Sequence, residues 1–194
     1  MHYLIILITF FSISVFGFET GEKVPDFEAQ LTEGRMKLSQ FKGKTVVLEW
    51  LNHGCPFVRK HYDSGNMQKL QKKYSEKMVI WLSVISSASG KQGHVDQAGA
   101  LKDKKDNKSF ASDIILDSDG KLGKMFEAKT TPHLFIINKE GILVYQGAID
   151  DRADADIESV PLAKNYISMA LDELLSGKKV SIGTTKAYGC SVKY

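Results

Sequence analysis

The chain has two thiols, Cys55 and Cys190, and the first stands where a sulfur can be made reactive. An apolar, β-branched run from Thr45 to Leu51 reads as a strand, Asn52 to Gly54 as a polar turn, and Pro56 as the first residue of a helix. Proline suits the first helical position because its missing N–H costs nothing there, which places Cys55 at the N-cap. Unpaired amide N–H groups and the positive end of the helix dipole favour a thiolate at that point. A free cysteine has a pKa of about 8.5, and such positions bring it to roughly 3.5 to 7.5. Arg59 and Lys60, one turn on, add to the effect if they lean back. The bland alternative is a small buried apolar residue.

Cys190 sits in a tail, Tyr188-Gly-Cys-Ser-Val-Lys-Tyr194. Its meaning depends on the compartment. Residues 1 to 18 carry no charged side chain and Leu4 to Phe16 is almost wholly apolar, too short for a membrane span of about 20 residues and suited to the core of a signal peptide over residues 1–17. Val15 and Gly17 are small enough for cleavage after Gly17, and association with a membrane is expected only if that segment stays attached. A periplasmic or secreted protein follows. In an oxidising compartment an even pair of cysteines is a candidate disulfide. As a permanent staple, closing so long a loop could stabilise by about 5 kcal/mol in the chain-entropy model. Cys190 could equally stay unpaired.

Glu49 is the third chemical group. Within Val46, Val47, Leu48, Trp50 and Leu51 a carboxylate costs stability unless it is paired or protonated. With a raised pKa it would relay protons to the thiol chemistry; alternatively it pairs with a lysine such as Lys44 at a sheet margin.

The 194 residues, 43% hydrophobic and 25% charged, fit one globular domain over 18–179, with a tail over 180–194. The net charge of +3 arises from 26 basic and 23 acidic residues that are largely interleaved, which argues against nucleic acid as a partner. Asp117-Ser-Asp-Gly120 is a turn and lacks the remaining ligands of a calcium loop. No cofactor and no resident metal are called for, although Cys55 with His53 and His133 is a conceivable soft-metal set. The acidic loop Asp150, Asp151, Asp154, Asp156 and Glu158 reads as a solvated face, or as a partner surface were the domain a non-catalytic exported binding module.

The elements that must hold these residues follow from periodicity. Pro56 to Tyr74 is a helix broken at Ser64-Gly65, with Met67, Leu70 and Tyr74 as its stripe. Met78 to Ile85 is a strand, Ser86 to Gly93 a loop, His94 to Lys105 a helix with Val95, Ala98 and Leu101 on one face, and Ile114 to Leu116 a short strand. Leu122, Met125 and Phe126 mark a further short helix. His133 to Ile137 and Ile142 to Gln146 are strands joined by a turn at Asn138 to Gly141. Ser159 caps and Pro161 starts the last helix, whose inner face is Leu162, Tyr166, Ile167, Ala170, Leu171, Leu174 and Leu175, with Gly177 ending it. An α/β fold with a central mixed sheet and helices on both faces results.

This order of elements, with Gly21-Glu-Lys-Val-Pro-Asp-Phe27, the turn Leu38 to Lys44 and Thr130-Thr-Pro-His-Leu-Phe-Ile-Ile137, resembles the thioredoxin-like superfamily and within it the redoxins, a group that includes peroxiredoxins and exported thiol:disulfide oxidoreductases. The resemblance implies antioxidant or disulfide-exchange activity through Cys55, with an external thiol reductant. It implies a cis-proline at Pro132, opposite the thiol. Thr131 beside it would offer backbone groups to an extended substrate, and Pro56, Asn52 and His133 would border the same pocket. Glu49 stands six residues before Cys55, where thioredoxins bury an aspartate. Cys190 matches the tail cysteine with which some peroxiredoxins resolve their reactive sulfur. Two departures qualify this: Val58 stands where the second cysteine of Cys-x-x-Cys would be, and Leu48, Asn52 and Pro132 stand where peroxiredoxins carry proline, threonine or serine, and arginine. The substrate is therefore expected to be a protein disulfide or a hydroperoxide.

Overall fold

The computed structural model describes residues 17–194; residues 1–16, most of the expected signal segment, lie outside them. A five-stranded mixed sheet in the order β5-β4-β3-β7-β8 forms the centre. Its strands are β3 (Val46–Trp50), β4 (Ile80–Ile85), β5 (Asp113–Leu116), β7 (His133–Ile137) and β8 (Leu143–Gly147). β3 runs parallel to β4 and antiparallel to β7, so it is hydrogen-bonded on both sides. That explains a strand of five residues with no exposed position.

Because side chains alternate across the sheet, two cores form. Val47, Leu51, Trp81, Leu134, Ile136 and Tyr145 pack with the helices α1 (Pro56–Asp63), α2 (Asn66–Ser75) and α5 (Tyr166–Leu175). Leu48, Trp50, Val84, Phe135 and Ile137 face the other way, onto the hairpin β1 (Glu28–Gln30) and β2 (Arg35–Lys37) and the short helix α4 (Lys121–Met125). Phe126 is the hub of that second core, with ring centroids 5.1 to 5.7 Å from Phe18, Phe27, Trp50 and Phe135.

Most expected elements stand where periodicity put them, including the break between α1 and α2, where Gly65 takes φ 73°. Three differ. The fourth strand starts at Ile80, because Met78 adopts φ 62° to turn the chain out of α2 and is 78% exposed. α3 (Gln97–Asp106) starts three residues late, where Asp96 accepts the Gly99 N–H, and it buries Ala100 while Leu101 is exposed. Three apolar residues among lysines gave too weak a stripe to fix the face. The last helix begins at Tyr166, capped by Asn165, whose side chain accepts the Ser168 N–H at 2.8 Å. Pro161 lies instead in a separate 3₁₀ turn, Ile157–Leu162, and Ser159 donates to Asp154. Asparagine caps as well as serine, and the Tyr166 N–H donating to the Ile149 carbonyl ties this start to the end of the sheet. Leu162 and Leu175 are consequently exposed, and Ile167, Ala170 and Leu171 carry the inner face.

The segment after α5 returns to the edge of the sheet. Gln146 and Thr184 form a parallel bridge, and the Thr185 hydroxyl accepts the Ala148 N–H and meets the Tyr145 hydroxyl at 2.7 Å. The chain then crosses back so that β9 (Cys190–Ser191) pairs antiparallel with β6 (Thr130–Thr131).

Candidate active site

Cys55 is the N-cap of α1, in extended conformation with φ −86° and ψ 125°, and Pro56 takes the first helical position. The polar turn before it is rigid: the Asn52 side chain accepts the Gly54 N–H at 2.9 Å and donates to the Gln92 carbonyl at 3.2 Å. Both ends of that amide are thereby used and the residue is 2% exposed. Asn52 holds the turn that leads into Cys55, and its amide faces the protein and not the open pocket border expected of it.

The Cys55 sulfur has no solvent exposure. It lies 3.0 Å from the Thr131 carbonyl and 2.6 Å from the Cys190 sulfur, and both thiols are free. The Thr131–Pro132 bond is cis, and this bend lays the Thr131 backbone across the helix start. Burial opposes ionisation of Cys55, but hydrogen bonds from the Cys190 thiol, the Val58 and Cys190 amides and the Thr131 hydroxyl outweigh it, so its pKa falls below that of an ordinary cysteine. Cys190 moves the other way, pushed up to about 11 by burial and by donating to Cys55. The two thiols are thus displaced in opposite directions, a polarisation of the pair. In a titration of thiolate ultraviolet absorbance, the first proton should leave below the value of about 8.5 for free cysteine, and Cys190→Ala, which deletes the largest of the stabilising hydrogen bonds, should move that step upward. An unmoved midpoint would disprove the polarisation.

The expected basic residues do not lean back. Arg59 pairs with Asp63 at 3.0 Å. Lys60 is buried and runs beneath the acidic loop, donating to the Arg152 carbonyl at 2.7 Å and to Asp154 at 3.0 Å, with Asp150 at 3.8 Å. The reading of that loop as a solvated face holds for Asp151, Asp156 and Glu158, which are exposed, and fails for Asp150, which is buried, while Asp154 is shared between solvent and the ammonium, since a buried ammonium must be matched by nearby carboxylates. Asp150 is itself buried and accepts the hydroxyl of Tyr188, two residues before Cys190. His61 Nε2 lies 3.1 Å from the same hydroxyl, and burial and Lys60 lower the His61 pKa to about 3, so its ring is neutral.

Glu49 is on the same sheet face as Cys55, because its register partner Leu134 points into the first core. It is 1% exposed and accepts from Trp81 Nε1 at 2.6 Å, the Tyr62 hydroxyl at 2.9 Å and Gln71 Nε2 at 3.1 Å. Burial dominates these three donors and raises its pKa to about 7. Among the described residues no lysine pairs with it, which removes the sheet-margin reading, and no hydrogen bond joins it directly to Cys55.

His133 is paired in register with Trp50 and stacks on Phe135, ring centroids 4.4 Å apart, on the opposite side of the sheet from the sulfur. Alternation from Leu134 decides this, so His133 does not border the thiol. With it falls the metal set of Cys55, His53 and His133; among the described residues no three ligating side chains converge. His53 stays on the thiol side, edge-on to Tyr62 at 4.8 Å, with Nδ1 buried and unpartnered. Pro56 is exposed beside the site. A cleft of about 710 Å³ opens elsewhere, between Arg35, His94, Asp117 and Lys121, and holds neither cysteine.

Sequence reasoning missed Tyr188, Lys60 and Asp150 as the anchor of the tail, and Tyr62, Gln71 and Trp81 as the cage of Glu49. The one signal for the former was the aromatic-Gly-Cys run itself.

Three comparisons bear on this arrangement. An uncharacterized conserved protein from Geobacillus kaustophilus is 23% identical, with 91% of this chain and 93% of that one covered and a TM-score of 0.76. A hypothetical protein from Sinorhizobium meliloti is 20% identical over 92% and 96%, again with a TM-score of 0.76. A putative thiol:disulfide interchange protein DsbE from Chlorobium tepidum is 24% identical over 67% and 85%, at 0.53. At these identities the three show the thioredoxin-like fold. No curated protein matches. The Redoxin family profile matches residues 19–161, which span β1 to the 3₁₀ turn before α5 and include Cys55, Glu49 and Pro132, and the chain therefore belongs to the Redoxin family.

Proposed function

We propose that this protein is an exported thiol oxidoreductase in which Cys55 is the nucleophile, Cys190 the resolving thiol and a polypeptide disulfide the substrate. The observation that carries the reading is the meeting of the two sulfurs, 2.6 Å apart and of opposite pKa displacement, beside a cis-proline. A thiolate attacks along the S–S axis of a disulfide, and its thiolate fraction sets the rate together with the pKa of the leaving thiol. The Cys55 thiolate attacks one sulfur of the substrate, forming a mixed disulfide and expelling the other sulfur as thiolate. Cys190, losing its proton, attacks the Cys55 sulfur, frees the second substrate thiolate and leaves a Cys55–Cys190 disulfide. The substrate has gained two electrons, and an external dithiol returns two to the protein. Pro132 and Thr131 shape the backbone edge at the sulfur, and Glu49, titrating near neutral pH, serves as a proton reservoir behind it. The uncharged apolar stretch over residues 1–18 supports export, where such a pair meets oxidised partners.

A hydroperoxide is the second substrate considered. The tail position of Cys190 favours it, because sulfenic acid formed at Cys55 would condense at once with the neighbouring thiol, releasing water. The residues that peroxiredoxins use around the peroxide are replaced here by Leu48, Asn52 and Pro132, so disulfide exchange is preferred. Cys190→Ser decides between them. Disulfide exchange predicts that this variant accumulates covalent adducts at Cys55 with polypeptides, released by dithiothreitol; hydroperoxide reduction predicts a peroxide-dependent sulfenate there instead. If Cys55 in this variant forms neither, the redox assignment fails.

A further inference from the structure

The edge at which a polypeptide substrate would lie is already filled by the chain's own tail. Thr131 pairs with Cys190 and Thr130 with Ser191 in an antiparallel ladder, and the Val192 N–H donates to the Lys129 carbonyl at 3.1 Å. Extended peptides bind sheet edges through the same main-chain bonds, with side-chain pockets supplying selectivity. The tail's own side chains are anchored on either side of that edge. Tyr188 lies edge-on to Phe57, ring centroids 5.9 Å apart, with its hydroxyl on Asp150 and the Lys60 ammonium 5.7 Å from its ring. Tyr194 bonds the Ala128 carbonyl at 2.8 Å and rests against Gly120 and Gly123, where a Cβ would fall within 2.5 Å of its ring or hydroxyl. Between these anchors Gly189 has φ 137°, and a Cβ there would lie 2.1 Å from the Thr131 carbonyl oxygen. Glycine is thus required for the cysteine that follows to come down on Cys55.

From this we infer that the segment Tyr188–Tyr194 is a tethered mimic of the substrate: a latch that seals Cys55 and must be displaced by any partner polypeptide. The partner it describes is an extended segment with an aromatic residue two positions before its cysteine and glycine directly before it. This inference rests on polypeptide disulfides being the substrate class, and it adds who can compete for the groove. Two anchors and a backbone ladder hold the tail, whereas a substrate arriving from solution must offer the same contacts without the tether, so selectivity follows from matching them.

The test uses the full chain carrying Cys190→Ser and measures labelling of Cys55 by a maleimide, corrected for thiolate fraction. Adding Gly189→Val should raise the labelling rate at least about tenfold, since labelling from a rare open state scales with its population and a factor of ten corresponds to about 1.4 kcal/mol of docking. Tyr194→Ala, which releases the far anchor without touching Thr131 or Cys55, should raise it as well. A synthetic heptapeptide of residues 188–194 with serine in place of Cys190, added to the Gly189→Val chain, should restore protection, and the same peptide with valine in place of its glycine should not. Unchanged labelling in both variants, a heptapeptide without effect, or equal protection by the two peptides would each overturn the latch. Labelling needs no turnover, so the latch can fail while Cys55 catalyses, and can hold in a protein that proves inactive.

Discussion

Cys55→Ser is expected to lower turnover of a disulfide substrate by a factor on the order of 10³ or more, because a serine hydroxyl is not ionised near neutral pH and the only thiol left is poorly placed to replace it. Cys190 has its pKa pushed up to about 11, so at pH 7 only about one molecule in 10⁴ would carry its thiolate. Part of that elevation comes from Cys55 and disappears in the variant. Burial remains, and even an ordinary cysteine is only a few per cent ionised at pH 7. Serine matches cysteine in size at a position packed into the first core, so the fold should persist, and circular dichroism with a thermal melt checks that. A variant retaining a tenth of the parent kcat/KM would move the chemistry off Cys55.

The second large effect concerns stability and pH at Glu49. Its folded pKa, about 7, lies above the ordinary glutamate value of 4.5. Between those values the folded protein binds more protons than the unfolded chain. Stability from this group is therefore greatest below about pH 4.5 and is lost as pH rises toward 7. The full difference corresponds to about 3 kcal/mol, an order-of-magnitude figure from 1.36 kcal/mol per pKa unit. Glu49→Gln removes the titration and keeps the shape. Its carbonyl oxygen can accept from Trp81 and Gln71 while its amide donates to the Tyr62 oxygen. The variant should be more stable than the parent at pH 8, by about 1 to 3 kcal/mol, and should differ little at pH 4.5. Urea midpoints at the two pH values measure this. A variant less stable than the parent at pH 8 would show that the three donors, and not burial, control the carboxylate. If Glu49 also serves as a proton reservoir, the same variant loses the activity limb near neutral pH while its disulfide-trapping yield is kept.

Much of the site was legible because its signals are local. A β-branched run, a polar turn, a cysteine and a proline are read within twelve residues, and the helix cap, the strand and the thiol's position all follow from φ preferences and the orphan N–H groups of a helix start. Glu49 could be named for the same reason, since a carboxylate inside an apolar strand has few tolerable environments. Errors came where local chemistry offered two equal choices. Ser159 and Asn165 are both good caps, and long-range pairing, the bridge between Asp150 and Asn165 and the Tyr166 bond to the Ile149 carbonyl, selects the second. His133 and Leu134 are adjacent, and which of them faces the thiol depends on the register of β7 against β3.

By itself the sequence determined the strand and helix that present Cys55, the redoxin architecture, and the candidacy of Cys55 as nucleophile and of a distant second cysteine as its partner. The tertiary structure alone decided that Cys190 reaches Cys55, that Arg59 and Lys60 turn away from it, and that the acidic loop is held by a buried lysine and in turn holds Tyr188. The division has a physical cause. Capping and strand alternation act over a few residues and leave their mark in composition. The closing of a 135-residue separation is set instead by which polar groups can satisfy one another once the chain is folded, and no neighbouring residue records that.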